Sequence, residues 1–134
     1  MESFSPIDRI REFFEAHPEA LAAYVFGSRV RGTSTEASDV DVAVLLDRDP
    51  VDSGLEGPAL RLEGDLERQL RIPVDLVILN RADPDLIHRV LRDGILVLDR
   101  DPSRRISFEV RARAEYLDLQ PILRRYRESS KGCR

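Results

Sequence analysis

Two aspartates two positions apart, Asp39 and Asp41, open the apolar run Val40-Asp41-Val42-Ala43-Val44-Leu45-Leu46. On a strand that spacing puts both carboxylates on one face. With no cation beside them in sequence they repel each other, and a hard divalent ion with oxygen ligands is their natural companion. Ten residues separate Asp39 from the pair Gly27-Ser28, at the end of the apolar run Ala22 to Phe26. A turn there, leading from a strand into a helix, leaves backbone N–H groups aimed outward, where a phosphate can accept them. An anion-binding turn beside metal-binding carboxylates points to nucleotide chemistry.

A third carboxylate, Asp75, is the one polar side chain in Val74-Asp75-Leu76-Val77-Ile78-Leu79. Ionised and isolated in such a strand it is costly unless paired or metal-bound. It could equally reach water from the strand's start or pair with an arginine, and spacing alone does not separate these. Asp39 on its own reads as a turn former bonding local backbone. That account leaves Asp41, one pleat further on, unexplained. Gly27 alone would be a common strand end, and Ser28 alone an N-cap. Arg29 and Arg31 flank the turn and could touch a polyphosphate, although arginines on exposed turns are usually solvated.

Gly27-Ser28, the gap and Asp39-Val40-Asp41 resemble the core motif of the DNA polymerase β-like nucleotidyltransferase superfamily. The short chain and the segment Phe108 to Leu119 are similar to one branch of it, the minimal MntA-like antitoxins paired with HEPN-domain toxins. The resemblance implies that Asp39, Asp41 and Asp75 are the catalytic metal ligands, holding Mg²⁺ (two ions), and that Gly27, Ser28 and Arg29 bind the nucleotide. It further implies ATP as the donor of AMP. The acceptor would be a hydroxyl, a tyrosine, of a partner HEPN toxin, silenced by the transfer. Two alternatives stand beside it: an antitoxin that neutralises its toxin by binding alone, and a small-molecule nucleotidyltransferase of the aminoglycoside-modifying kind. The latter usually needs more chain to hold its acceptor.

These residues need elements to position them. The sequence predicts an α/β domain, with helices from Ser5-Pro6 to His17, from about Pro58 to Arg71, after Asp83-Pro84 to Gly94, and from Asp101-Pro102 onward. Strands are expected at 22–26, 40–46, 73–79 and 95–98. A helical turn is expected at Ser28 to Arg31, a loop from Thr33 to Ser38, and an irregular connection from Asp47 to Gly57. In the last helix Ile106, Val110, Ala114 and Leu117 share a face expected to pack, and Pro121 is expected to kink or break it. The helices ending at His17, Arg71 and Arg92 are expected on one face of the sheet, the last helix on the other. The superfamily resemblance implies a small mixed sheet of about four strands with antiparallel first and second strands.

A chain of 134 residues fits a single domain over 1–134, with an ordered core of about 5–128. Hydrophobic residues at 42% and charged residues at 34% suit a soluble globular protein. No apolar run approaches a membrane span and Met1 to Ser5 lacks the features of a signal peptide, so a cytoplasmic location is expected. The single cysteine, Cys133, can form no internal disulfide. The net charge of −4 argues against direct nucleic-acid binding. His17 and His88 have no second ligand at useful spacing, Asp47, Asp49 and Asp52 lack the spacing of a calcium loop, and Tyr24, Tyr116 and Tyr126 read as packing residues.

Overall fold

The fold is taken from a computed structural model of the chain, which describes residues 6–27, 39–48 and 57–132. The elements in order are α1 (Pro6–Glu15), β1 (Ala20–Phe26), β2 (Val40–Leu46), α2 (Gly57–Leu70), β3 (Val74–Ile78), a 3₁₀ turn (Leu79–Arg81), α3 (Pro84–Asp93), β4 (Ile95–Asp99) and α4 (Pro102–Gly132). The expected strands and helices are all present, and β1 begins two residues earlier than the apolar pattern suggested. The turn expected at Ser28–Arg31, the loop at Thr33–Ser38 and residues 49–56 of the long connection lie outside the described residues.

The sheet has the order β3-β2-β1-β4. β1 runs antiparallel to both β2 and β4, and β2 runs parallel to β3. This is the expected mixed α/β sheet. Its two faces are covered separately, because the strands are apolar on both sides. Val40, Val42, Val44 and Leu46 of β2 pack with Ile10, Phe13 and Phe14 of α1 and Leu62, Leu66 and Leu70 of α2. Ala43 and Leu45 point the other way, toward Ile87 and Val90 of α3 and Ala112 of α4.

Two expectations are corrected here. α3 lies with α4 on the second face, not with α1 and α2. The connection β2-α2-β3 steps outward to the sheet edge, whereas β3-α3-β4 returns across β2 and β1. Right-handed crossovers in opposite directions place their helices on opposite faces.

The second correction concerns α4. Its packed side carries Phe108, Ala112 and Tyr116, together with Arg105 and Glu109, while Ile106, Val110, Ala114 and Leu117 are exposed. Tyr24 Oη donates to Glu109 Oε2 at 2.6 Å, and Arg105 Nη1 donates to the same oxygen at 3.0 Å. Arg105 Nε also lies 3.0 Å from Asp99 Oδ1, an ion pair without an aligned hydrogen bond. These partners on β1 and β4 draw polar residues of α4 inward and turn the other apolar stripe outward. Pro121 sits inside α4 without ending it. It and Leu117, whose carbonyl loses its helical donor, are both exposed, so water can replace the missing bond.

Other contacts fix the site's framework. Asp101 Oδ1 accepts the Arg104 N–H at 3.2 Å and caps α4. Gly94 ends α3 against β1. A Cβ there would lie 2.5 Å from the Val90 carbonyl and 3.3 Å from that of Val25. Among the described residues no helix is long and apolar enough to cross a membrane.

Candidate active site

β2 and β3 begin, and β1 ends, at the same end of the sheet. In the antiparallel ladder Phe26 is opposite Asp41, and in the parallel ladder Asp41 is opposite Asp75. Residues opposite each other share a face, so Asp41 and Asp75 project together across a strand spacing of about 4.8 Å. The Val40 N–H donates to the Pro73 carbonyl at 3.0 Å, tying the start of β2 to the approach of β3 between Asp39 and Asp41. Asp39 precedes Asp41 by one pleat. The three expected carboxylates therefore gather at one sheet end, on the face shared with α3 and α4.

Their electrostatics register this. The Asp41 carboxyl is pushed above the ordinary value of 3.8, first by burial and then by the charges of Asp75 and Asp39. Asp41 is half-buried, whereas Asp39 and Asp75 are exposed.

Gly27 closes on the same carboxylate. Its φ of 90° is in the left-handed region, where a side chain is strained. A Cβ on Gly27 would overlap Asp41 Oδ2 and stand 3.1 Å from its Cγ. The end of β1 thus turns directly over Asp41, with room for backbone only. Ser28 and Arg29, the other expected nucleotide-binding residues, and Arg31 lie outside the described residues.

The donor set is all oxygen, which suits a hard divalent cation such as Mg²⁺. The mutual repulsion at Asp41 is what such an ion would relieve. Among the described residues no three metal-binding side chains stand close enough to enclose one as they lie. Asp39 and Asp75, being exposed, can close on Asp41 by rotation about χ1. The residues present fit the ion as an open, one-sided set.

Sequence reasoning did not find the residues that hold β3. This strand is an edge, and its outward N–H groups flank Asp75. Glu67 Oε2 accepts the Val74 N–H at 2.9 Å and Glu63 Oε2 accepts the Leu76 N–H at 2.9 Å. The two glutamates are one helical turn apart on α2, and that spacing matches alternate N–H groups along a strand. At the far end of the sheet Asn80 does similar work. Its Oδ1 accepts the Leu46 N–H at 2.9 Å and its Nδ2 donates to the Leu46 carbonyl at 3.0 Å.

Two clefts lie away from the carboxylates. One of about 410 Å³ is lined by Leu21, Leu46, Asn80 and Phe108 at the opposite end of the sheet. Another of about 450 Å³ lies between α3 and α4, where the rings of His88 and Tyr116 stack at 3.8 Å. Tyr24 and Tyr116 thus pack as expected, and neither histidine joins the candidate site.

Comparison with known proteins bears on the fold and the family. No curated protein matches the chain in sequence. Several solved structures share its fold. A toxin–antitoxin crystallised with AMP-PNP superposes with a TM-score of 0.78 at 26% identity, over 93% of this chain and 98% of that one. The MntA–HepT toxin–antitoxin gives 0.73 at 23% identity, over 94% and 97%. A tri-AMPylated Shewanella oneidensis HEPN toxin in complex with MNT antitoxin gives 0.73 at 23%, over 94% and 96%. The family described as polymerase beta, nucleotidyltransferase matches residues 8–103, which include Gly27, Asp39, Asp41 and Asp75. The chain belongs to the polymerase beta nucleotidyltransferase family.

Proposed function

We propose that the chain is a Mg²⁺-dependent protein adenylyltransferase, moving AMP from ATP to a tyrosine hydroxyl of a partner HEPN toxin and so acting as its antitoxin. The observation that carries this reading is the convergence of Asp41, Asp75 and Asp39 beneath the turn at Gly27. Family membership supports nucleotidyl transfer. The toxin–antitoxin relative crystallised with AMP-PNP supports an adenine nucleotide and a toxin partner. The chain acts as one domain over 1–134, in the cytoplasm, without contacting nucleic acid.

In this reading Gly27, Ser28 and Arg29 hold the β- and γ-phosphates, and Gly27 lets the backbone approach them. Asp39, Asp41 and Asp75 would hold Mg²⁺ (two ions), which would offset charge on the α-phosphate and on the leaving pyrophosphate. The tyrosine oxygen bonds to the α-phosphorus, the bond to the bridging oxygen breaks, and pyrophosphate departs. A carboxylate of the set accepts the tyrosine proton. Glu63 and Glu67 keep Asp75 in register by binding the N–H groups on either side of it.

Incubating the chain with the HEPN protein, ATP and Mg²⁺ should add about 329 Da per transfer to that protein, the mass of AMP left by loss of pyrophosphate. Asp41→Asn should lower the rate by at least ~100-fold with the fold intact. An unmodified partner that is still inhibited by Asp39→Asn would instead support neutralisation by binding alone.

A further inference from the structure

α4 has two apolar faces and the fold covers one. Phe108, Ala112 and Tyr116 pack inward. On the opposite side Ile106 is 49% exposed, Val110 61% and Leu117 63%. Their spacing of four and seven residues makes one continuous stripe along the helix. A helix apolar on both sides is normally covered on both sides.

The position of α4 follows from its neighbours. α4 starts beside the end of β4, where Arg105 meets Asp99, and runs alongside α3 to the Tyr116–His88 stack. α3 in turn ends against Val25 and Phe26, at the carboxylate end of the sheet. With 31 residues α4 is about 46 Å long, roughly twice the length of a seven-residue strand. Ser103 to Glu115 border Leu46, Asp47, Asn80 and Ala82 at the end of the sheet opposite the carboxylates, and the helix continues past His88 and Arg92. Leu117 and Tyr116 also form part of the wall of the 450 Å³ cleft, a recess of a size to take an anchoring side chain.

Charge decides the occupant. The α4 sequence carries eight arginines and lysines against four carboxylates, although the whole chain is net −4. Arg111, Arg113, Arg124 and Arg125 are exposed along it. A second copy laid α4 against α4 would bring like charge together. An apolar ridge bordered by carboxylates complements the stripe in both hydrophobicity and sign.

We infer that the outer face of α4 is the docking surface for the acceptor protein, and that this protein presents a helix with an apolar ridge edged by acidic residues. The inference rests on the protein-acceptor reading above.

The test uses the full chain and a HEPN-domain protein as the candidate partner, with affinity measured by calorimetry at two salt concentrations. Val110→Glu/Leu117→Glu should weaken binding at least ~100-fold. Arg111→Glu/Arg113→Glu should weaken it and reduce its salt dependence. Both variants should keep the chain's melting temperature and its affinity for ATP with Mg²⁺. Asp41→Asn should lose transfer and keep partner affinity, which separates docking from chemistry. Partner affinity within twofold of wild type in Val110→Glu/Leu117→Glu overturns the docking surface. Failure of the wild-type chain to bind the HEPN protein overturns the partner reading and this surface's occupant with it. A dimer seen by light scattering and dissolved by the Glu variant overturns it in favour of a second copy. An RNA mobility shift abolished by the Arg variant overturns it in favour of nucleic acid.

Discussion

Replacing Gly27 with alanine adds one carbon where the end of β1 meets the Asp41 carboxylate, and its cost has two separable parts. At a φ of 90° an L-residue is strained by about 1–2 kcal/mol. The new Cβ would also overlap Asp41 Oδ2 and stand 3.1 Å from Cγ and 3.3 Å from Cβ of the same residue. Asp41 must then leave its rotamer, at about 0.5–1.5 kcal/mol. The sum is about 2–3 kcal/mol, or roughly 10 °C in melting temperature for a chain of this size. In an Asp41→Ala background the carboxylate is gone and only the backbone part remains. Thermal and urea unfolding of wild type, both single variants and the double variant should give a coupling of about 1 kcal/mol. Transfer by Gly27→Ala should fall by ~100-fold or more at temperatures where it is fully folded, because a displaced Asp41 is misplaced for chemistry. If alanine costs the same in both backgrounds, Gly27 does not close on Asp41 and the site is not built this way.

Other perturbations probe the supports and the ion. Calorimetry should show ATP binding with Mg²⁺ and little in EDTA, since uncompensated carboxylates repel the triphosphate; equal affinity in both would refute the metal assignment. Glu63→Ala and Glu67→Ala should each cost about 1 kcal/mol in urea unfolding by freeing an edge N–H beside Asp75, and together should lower transfer while partner affinity holds. Tyr24→Phe should cost about 1–2 kcal/mol at neutral pH through loss of the bond to Glu109. Burial, then the hydrogen bond and charge of Glu109, raise the Tyr24 hydroxyl above its ordinary 10.0. Its contribution is therefore complete below pH 10 and lost as pH rises beyond it, a limb the phenylalanine variant should lack. Burial alone would raise Glu109, but its bonds from Tyr24 and Arg105 and the charges of Arg105 and Arg113 outweigh that and pull it below 4.5. Its contribution is present above that value and lost as pH falls through the lowered one, and Glu109→Gln should flatten this acid limb.

The strands and their carboxylates were legible because their signal is local. Period-two alternation set Asp39 and Asp41 on one face, and β2 begins at Val40 as its apolar run does. Asp75 was ambiguous from spacing because its meaning depends on its neighbour. Only the parallel register, Asp41 opposite Asp75, makes it a member of the set. The side of the sheet taken by α3 was not legible for a similar reason. A helical pattern marks which stripe is buried, but the face it covers follows from strand order, and no local signal carries that order.

α4 shows where local patterning misleads. Ile106, Val110, Ala114 and Leu117 form the more regular apolar stripe, so periodicity selects it for the core. The fold instead buries the face with Arg105 and Glu109, since Tyr24 and Asp99 wait for them on β1 and β4. An arginine and a glutamate four residues apart read as a surface pair in an isolated helix. Here they lie under α4 at side-chain exposures of 16% and 13%. Burying them is tolerable because each finds hydrogen-bonding or charged partners there. The same exchange leaves the regular stripe in water, where it gives the molecule no stability of its own. On the docking proposal, the helix serves two contacts, one with its own sheet and one with another protein. The sequence that made the first prediction about α4 fail is therefore the sequence that the docking surface requires.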